Sequence, residues 1–384
     1  MPPRSDTARR SASAKAKHAR AESATEAQIE TQQTEAQIEA RIETRIEDQI
    51  EQIDALFAFA GLVRNRREKA AGVRNRARFQ DKTPEELRPA AATPIRADNG
   101  VEWIRAAGLE RISWLWHGFS TRRGGLSRAY TGADSPGELN LGFTADDTRE
   151  NVFRNRELLA EAITGSASTP IVTIRQIHSS IVALADSSHV GHPCKGDGLM
   201  TAQSGLLLGV LTADCTPVLV ADRKKKVVAA FHAGWRGTVK RIVENGIGRM
   251  RLEFGSQPED LVAAIGPGIG PCCYAVGEEV LSEYTSQFSY AHELFHEVYD
   301  SDPVKQKYPM LFLTQRAPGH SPIGPNLHLD VAEANRRQLL DSGLKKRNIH
   351  GAGGCTNCQP ELFFSHRGSQ GRAGRMLSVI GIRN

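Results

Sequence analysis

Residues 206–237 read LLLGVLTADCTPVLVADRKKKVVAAFHAGWRG, and the fold turns on this stretch. Three apolar runs of strand length are separated by short polar islands. Leu206 to Leu211 reads as a buried strand, Val218 to Val220 as a second, and Val227 to Phe231 as a third. Asp222 to Lys225 is a charged turn, so the second and third strands form a hairpin. The hairpin returns His232 to the neighbourhood of Cys215. A further imidazole, His178, stands in Gln176-Ile177-His178 between short strands over Ile171 to Ile174 and Ile181 to Ala185.

Two imidazoles and one thiolate are the donors of a catalytic zinc site that keeps a fourth position open. They are equally the parts of a Cys-His nucleophilic pair. Ala233 to Thr238 forms a Gly-bracketed turn into a helix, which aims backbone N–H groups at an anion. Arg236 can add a bidentate contact to phosphate or carboxylate. Asp214, next to Cys215, is a candidate to orient a histidine or bind a sugar.

Working outward, strands and helices mix without strict alternation, which favours an α+β fold of mixed sheets flanked by helices. Helices are expected over Asp146 to Ile163, Thr238 to Phe254, Glu278 to Phe288 and Asp330 to Ser342. Further strands are expected over Ile112 to Ser120, Leu261 to Ile265 and Arg375 to Ile382. Gly266-Pro-Gly-Ile-Gly-Pro271 reads as a tight turn.

The first 94 residues differ from the rest. Residues 1–20 carry six basic residues against one acid, 21–62 ten acids against two arginines, and 63–82 eight basic residues against two acids. Thr25-Glu-Ala-Gln-Ile-Glu30 recurs at Thr34 to Glu39. Ile38, Ile42, Ile46, Ile50 and Ile53 line a helical stripe. These features predict a solvated basic tail, then a low-complexity helix from Thr25 to Leu62 capable of weak self-association. Pro84, Pro89 and Pro94 read as a linker, so the division is 1–94 extension and 95–384 folded domain.

The remainder is close to neutral, which argues against a nucleic-acid groove in the main domain. No run of 18 apolar residues occurs, so no membrane span is expected. Six cysteines in 384 residues do not make a disulfide framework, and a reducing cytoplasm is the expected compartment.

Two other motifs are weighed. His292-Glu-Leu-Phe-His296 matches the zinc-protease helix pattern, but no third ligand follows it. Cys355-Thr-Asn-Cys358 has metal-knuckle spacing. Cys194 and Cys272-Cys273 do not supply a second pair at a recognised spacing, so no structural zinc is expected.

Phe119-Ser-Thr-Arg-Arg-Gly-Gly-Leu-Ser127, Asn140-Leu-Gly142, Gln176-Ile-His178, Gly196-Asp-Gly198, Thr212-Ala-Asp-Cys215 and His232-Ala-Gly-Trp-Arg-Gly237 occur in order. Ile265-Gly-Pro-Gly-Ile-Gly-Pro-Cys-Cys-Tyr274 and Phe363-Phe-Ser365 follow. From about His117 to Ile382 the chain resembles the YfiH-type laccase-domain family, also described as multicopper polyphenol oxidase or purine nucleoside phosphorylase.

The resemblance implies a fold shared with the catalytic domain of cytotoxic necrotizing factor toxins. It implies that His178, Cys215 and His232 are catalytic and metal-binding, with zinc the expected ion and copper the alternative. It implies phosphorolysis of adenosine, inosine and methylthioadenosine, with adenosine deamination as a second activity. Arg122 and Arg236 fall on family arginines and, with Asp214, are the expected substrate and phosphate contacts. The C-terminal block departs from the family, with His366 and Gly368 where Tyr and Arg are usual. The alternatives are a copper-dependent phenol oxidase and a metal-free Cys-His hydrolase acting on a cell-wall precursor amide. Against the oxidase, the chain has no His-x-His pair and its trio can hold a single ion.

Overall fold

The hairpin forms as its sequence dictates: Thr216–Asp222 pairs antiparallel with Val227–Ala233, in register from Thr216 opposite Ala233 to Asp222 opposite Val227. The turn is set by Asp222, whose Oδ1 accepts from the N–H groups of Lys224 and Lys225, both at 2.9 Å. Lys226 closes it with φ 53°.

The structure is a computed structural model that describes residues 80–131, 136–298 and 326–384. The expected helix from Thr25 to Leu62 lies outside the described residues. In chain order the strands begin β1 (Gln80–Asp81), β2 (Ile95–Arg96), β3 (Glu102–Ile104), β4 (Leu115–Ser120), β5 (Arg123–Ser127), β6 (Ile171–Thr173), β7 (Val182–Leu184) and β8 (Gly198–Thr201). They continue β9 (Leu207–Thr212), β10 (Thr216–Asp222), β11 (Val227–Ala233), β12 (Leu261–Ile265), β13 (Ala275–Val276), β14 (Phe295–Val298), β15 (Asn326–Leu329), β16 (Ile349–Gly351) and β17 (Met376–Ile382). The helices are α1 (Ala107–Glu110), α2 (Arg149–Thr164), α3 (Trp235–Val239), α4 (Ile242–Phe254), α5 (Glu278–Gln287) and α6 (Val331–Asp341).

Two six-stranded mixed sheets carry the fold, ordered β2-β3-β4-β17-β9-β6 and β16-β12-β10-β11-β8-β7. A smaller sheet runs β1-β14-β15-β13. The two large sheets face one another across a core holding Phe119, Leu208, Val210 and Ile380 from the first and Leu219, Val228, Ala230 and Ala264 from the second. The second sheet is covered on its other side by α4 and α6, through Val220, Ala229, Phe231, Ile247, Met250 and Leu339. The first is covered by α2, through Leu159 against Leu207, Leu377 and Val379. Sheets covered on both faces need apolar residues at every position, which is why β10 and β11 read as unbroken apolar runs.

The α2 boundaries follow local chemistry. Thr148 Oγ1 caps the N–H of Asn151, and Gly165 ends the helix at φ 83°. Two expectations are corrected. The helix expected over Thr238 to Phe254 is two helices, α3 and α4, broken where Arg241 takes φ 63°. The stretch expected as a linker packs on the domain. Leu87 and Ala92 are buried, and the N–H of Gly354 donates to the Ala90 carbonyl at 2.8 Å.

The connections decide where chemistry can gather. The 174–181 loop leaves β6 in one large sheet and enters β7 in the other, and the 213–215 corner does the same from β9 to β10. Since β6 and β9 are parallel, both crossings lie at one rim of the sandwich. β11 ends there, and β8 begins there opposite Phe231. Among the described residues no helix is long and apolar enough to cross a membrane.

Candidate metal and active centre

At this rim the predicted trio assembles. One donor atom from each of His178, Cys215 and His232 lies within 4.8 Å of the others. Cys215 Sγ stands 4.0 Å from His178 Nε2, and the two imidazoles meet edge to face with centroids 5.0 Å apart. His178 is exposed, Cys215 half-buried and His232 buried. Two backbones at the site are strained to achieve this: His178 has φ 58° and Asp214 φ 89°.

The sequence reading missed the residue that organises the trio. Asp197 is fully buried at the start of β8. Its carboxylate accepts from the N–H groups of Ile177, His178 and Ser179, from Ser179 Oγ, and from His232 Nδ1 at 2.8 Å. One carboxylate therefore fixes the loop that carries His178 and the ring of His232. Burial opposes its charge, but the hydrogen bonds from His232 and Ser179 win and hold Asp197 below the ordinary carboxylate value. With Nδ1 committed, Nε2 of His232 is left for an ion or a proton.

Asp214 was expected to orient a histidine or bind a sugar. Its carboxylate instead accepts from Thr356 Oγ1 and the Arg367 N–H, both at 2.6 Å. These contacts tie the Cys215 corner to the C-terminal loop.

Burial alone would push the Cys215 thiol up; the His232 charge and hydrogen bonds from His178 and His232 bring it down to about 6. Burial would push His232 down; the Cys215 and Asp197 charges and hydrogen bonds raise it to about 9. Between those values the metal-free site is a thiolate beside an imidazolium. In chelator-treated protein, iodoacetamide should modify Cys215 with a midpoint near pH 6, faster as pH rises through it. Peptide mapping that gives a midpoint at the free-thiol value of about 8.5 would remove this charge pair.

Gly234 makes room for the trio. A Cβ there would lie 2.7 Å from Cys215 Sγ and 3.3 Å from His178 Cδ2. Its φ of −67° and ψ of 168° suit any residue, so only the close approach demands glycine. Gly234→Ala should fold and lose about 10-fold or more of turnover, since 1 Å displacements at a site cost that much or more; unchanged kinetics would show the trio tolerates displacement.

A cavity of about 380 Å³ is lined by Trp235, Arg236, Tyr274, Ala275, Val276, Gly277, Glu279, Val280 and Arg367. Tyr274 links it to the trio. Burial, then the nearby Cys215 charge, pushes its phenol up to about 12. Arg236 packs its guanidinium 4.4 Å from the Trp235 ring, and Arg367 packs 5.4 Å from the Tyr274 ring. The second arginine, Arg367, is not among the contacts expected from the sequence. The helix expected to present N–H groups to an anion, α3, has only five residues. Arg122 has other partners: Glu138, the Pro360 carbonyl at 2.7 Å and the Phe364 ring at 4.7 Å.

The His292-to-His296 motif is no metal helix. Ala291–Glu293 is a 3₁₀ turn and Phe295–Val298 a strand, with His296 paired to His328 and Glu293 bound to Arg337.

The family model described as "Multi-copper polyphenol oxidoreductase laccase" matches residues 116–383. The chain belongs to this family. It is 31% identical over 292 residues to purine nucleoside phosphorylase YlmD of Geobacillus stearothermophilus, across 73% of this chain and 94% of that one. It is 35% identical to the purine nucleoside phosphorylase of Deinococcus radiodurans, across 74% and 94%. The crystal structure of Bacillus licheniformis hypothetical protein YfiH superposes with TM-score 0.60 at 27% identity, covering 74% of this chain and 97% of that one. The α+β fold is thereby the family's.

The donor set can be tested against the metals the family description suggests. Two imidazoles and a thiolate around one point, one imidazole braced by a buried carboxylate, fit a single zinc with an open position. They do not fit a multi-copper cluster. Among the described residues the other group of three or more metal donors is all cysteine.

Proposed function

We propose that this protein is a purine nucleoside phosphorylase working at the His178–Cys215–His232 centre, with adenosine deamination as a second activity. The observation that carries the reading is the cavity beside the trio, whose volume suits a small ligand and whose wall holds Arg236 and Arg367. The names of the Geobacillus and Deinococcus relatives support the same substrate class.

A zinc ion held by the three donors would supply Lewis acidity. The chain's own groups do the rest. Arg236 and Arg367 bind phosphate through paired N–H contacts. A phosphate oxygen attacks the anomeric carbon, the glycosidic C–N bond breaks, and the purine leaves with the bonding pair and takes a proton. Tyr274, kept protonated by burial and the Cys215 charge, stands in the cavity wall as a proton donor. Asp197 holds His232 in one orientation throughout.

Adenosine, inosine and methylthioadenosine, each incubated with and without phosphate, test the proposal. Free base and sugar 1-phosphate should form only with phosphate, and inosine should form from adenosine. No base release under either condition would refute the reading.

A second reading rests on one observation: Cys215, His232 and Asp197 also form a thiolate–imidazole–carboxylate series, as a cysteine hydrolase requires. Activity that survives chelation and dies on alkylation would favour it. The six cysteines carry no disulfide, which suits a reducing cytoplasm.

A further inference from the structure

Sequence spacing argued against a structural metal, because no second pair accompanies Cys355 and Cys358. Folding supplies it. The Sγ atoms of Cys272, Cys273, Cys355 and Cys358 all lie within 4.8 Å of one another. Cys358 Sγ is 3.5 Å from that of Cys272 and 3.4 Å from that of Cys273. We propose that these four cysteines form a tetrathiolate site holding one structural zinc ion, separate from the His-Cys-His centre.

The spacing fits one ion. Thiolates arranged tetrahedrally about zinc, with bonds near 2.3 Å, stand about 3.8 Å apart. An all-sulfur set with no oxygen donor selects zinc or iron over the hard cations.

The backbone is built around the sulfurs. β12 and β16 are parallel neighbours, so the loops leaving them emerge side by side. Gly268 bridges to Cys355, and the Thr356 N–H donates to the Gly268 carbonyl at 3.0 Å. The Gly270 N–H points at Cys355 Sγ at 3.2 Å, a donor that favours thiolate over thiol. Cys272 and Cys355 also pack with Leu87, Ile269 and Val298. Apolar packing alone accounts for two buried cysteines. It does not account for four sulfurs from two loops converging on one point with an N–H directed at one of them.

The ion would brace the active rim. Ile269 N–H donates to the Asp214 carbonyl at 2.8 Å, and Thr356 Oγ1 donates to the Asp214 carboxylate. The two loops tied by the four cysteines are thus the loops that hold the corner preceding Cys215. Tyr274 follows Cys273 directly.

The full chain, purified without added metal, carries the test. His178→Ala combined with Cys215→Ala removes two donors of the other centre and leaves the His232–Asp197 pair intact. This variant should retain about one zinc per chain by elemental analysis. X-ray absorption on it should give four sulfur neighbours near 2.3 Å. Adding Cys358→Ser should lower zinc retention against a chelator at least 10-fold. If that triple variant does not fold, absorption on the double variant and thiol counting on the wild type decide alone.

No zinc in the double variant, iron in its place, nitrogen or oxygen neighbours, or a mass loss of disulfide formation would each overturn the proposal. So would all four thiols reacting at once in native wild-type protein. None of these readouts uses turnover, so they stand apart from the outcome of the nucleoside assay.

Discussion

Asp197→Asn should lower nucleoside turnover by about 100-fold or more and loosen the ion at the trio by about 10- to 100-fold, the usual cost of losing a carboxylate behind a metal-bound histidine. The substitution keeps the shape and changes the hydrogen-bonding logic. A carboxylate accepts all five donors that surround it. An amide has one accepting oxygen, and its NH₂ must face an N–H or O–H donor. Because Asp197 itself is fully buried, the mismatch should also cost roughly 3 kcal/mol of stability.

The pH dependence has a definite sign. Asp197 is held below its ordinary carboxylate value when folded, so its contribution is complete above the unfolded value and fades as pH falls through the folded one. Asp197→Asn should therefore narrow its stability deficit as pH falls. Melting temperatures from pH 7 down to about 2, spanning the range in which a depressed carboxylate loses its contribution, with kinetics at pH 7, check both effects. A fully active variant would mean His232 needs no orienting partner.

On the proposed function, Cys215→Ala should lower kcat/KM for phosphorolysis by on the order of 10³, since an ion's charge stabilisation is worth several kcal/mol. It should also remove the zinc proposed for the trio while leaving the fold intact, because Cys215 is only half-buried and sits at the rim rather than in the core. His232 loses the neighbouring thiolate, the largest influence raising it against burial. Its pKa should therefore fall below that of the chelator-treated wild type, which NMR of the imidazole can follow. Full phosphorolysis by Cys215→Ala would remove the trio from the reaction. Lost phosphorolysis with an unchanged His232 titration would mean the thiolate–imidazolium pair is absent.

Much of this was legible in the chain. Local period and turn chemistry gave the β10–β11 hairpin, because Asp222 makes its turn with its own neighbours. The same hairpin brought Cys215 and His232 to one end. Residues whose partners are remote were misread or missed. Asp197 lies in Gly196-Asp-Gly198, and its meaning comes from His232 and the 177–179 loop. Asp214, adjacent to Cys215 in sequence, reads as a residue to orient a histidine or bind a sugar, and its carboxylate accepts from Thr356 and Arg367. The 238–254 helix breaks at Arg241, where no proline or glycine warns of it. The zinc-protease spelling at His292 assumes a helix that the smaller sheet replaces with a strand.

The sequence alone determined which segments are strands buried on both faces, where they turn, and which three candidate metal ligands stand in polar islands beside apolar runs. Those properties come from residues a few positions apart, and hydrophobic period and turn geometry act at that range. Only the tertiary structure decided that two crossings between sheets share one rim, that Asp197 braces His232, and that four cysteines from two distant loops meet. Such meetings depend on the pairing order of strands, β6 beside β9 and β12 beside β16, which is fixed by packing whole sheets against each other rather than by any local pattern.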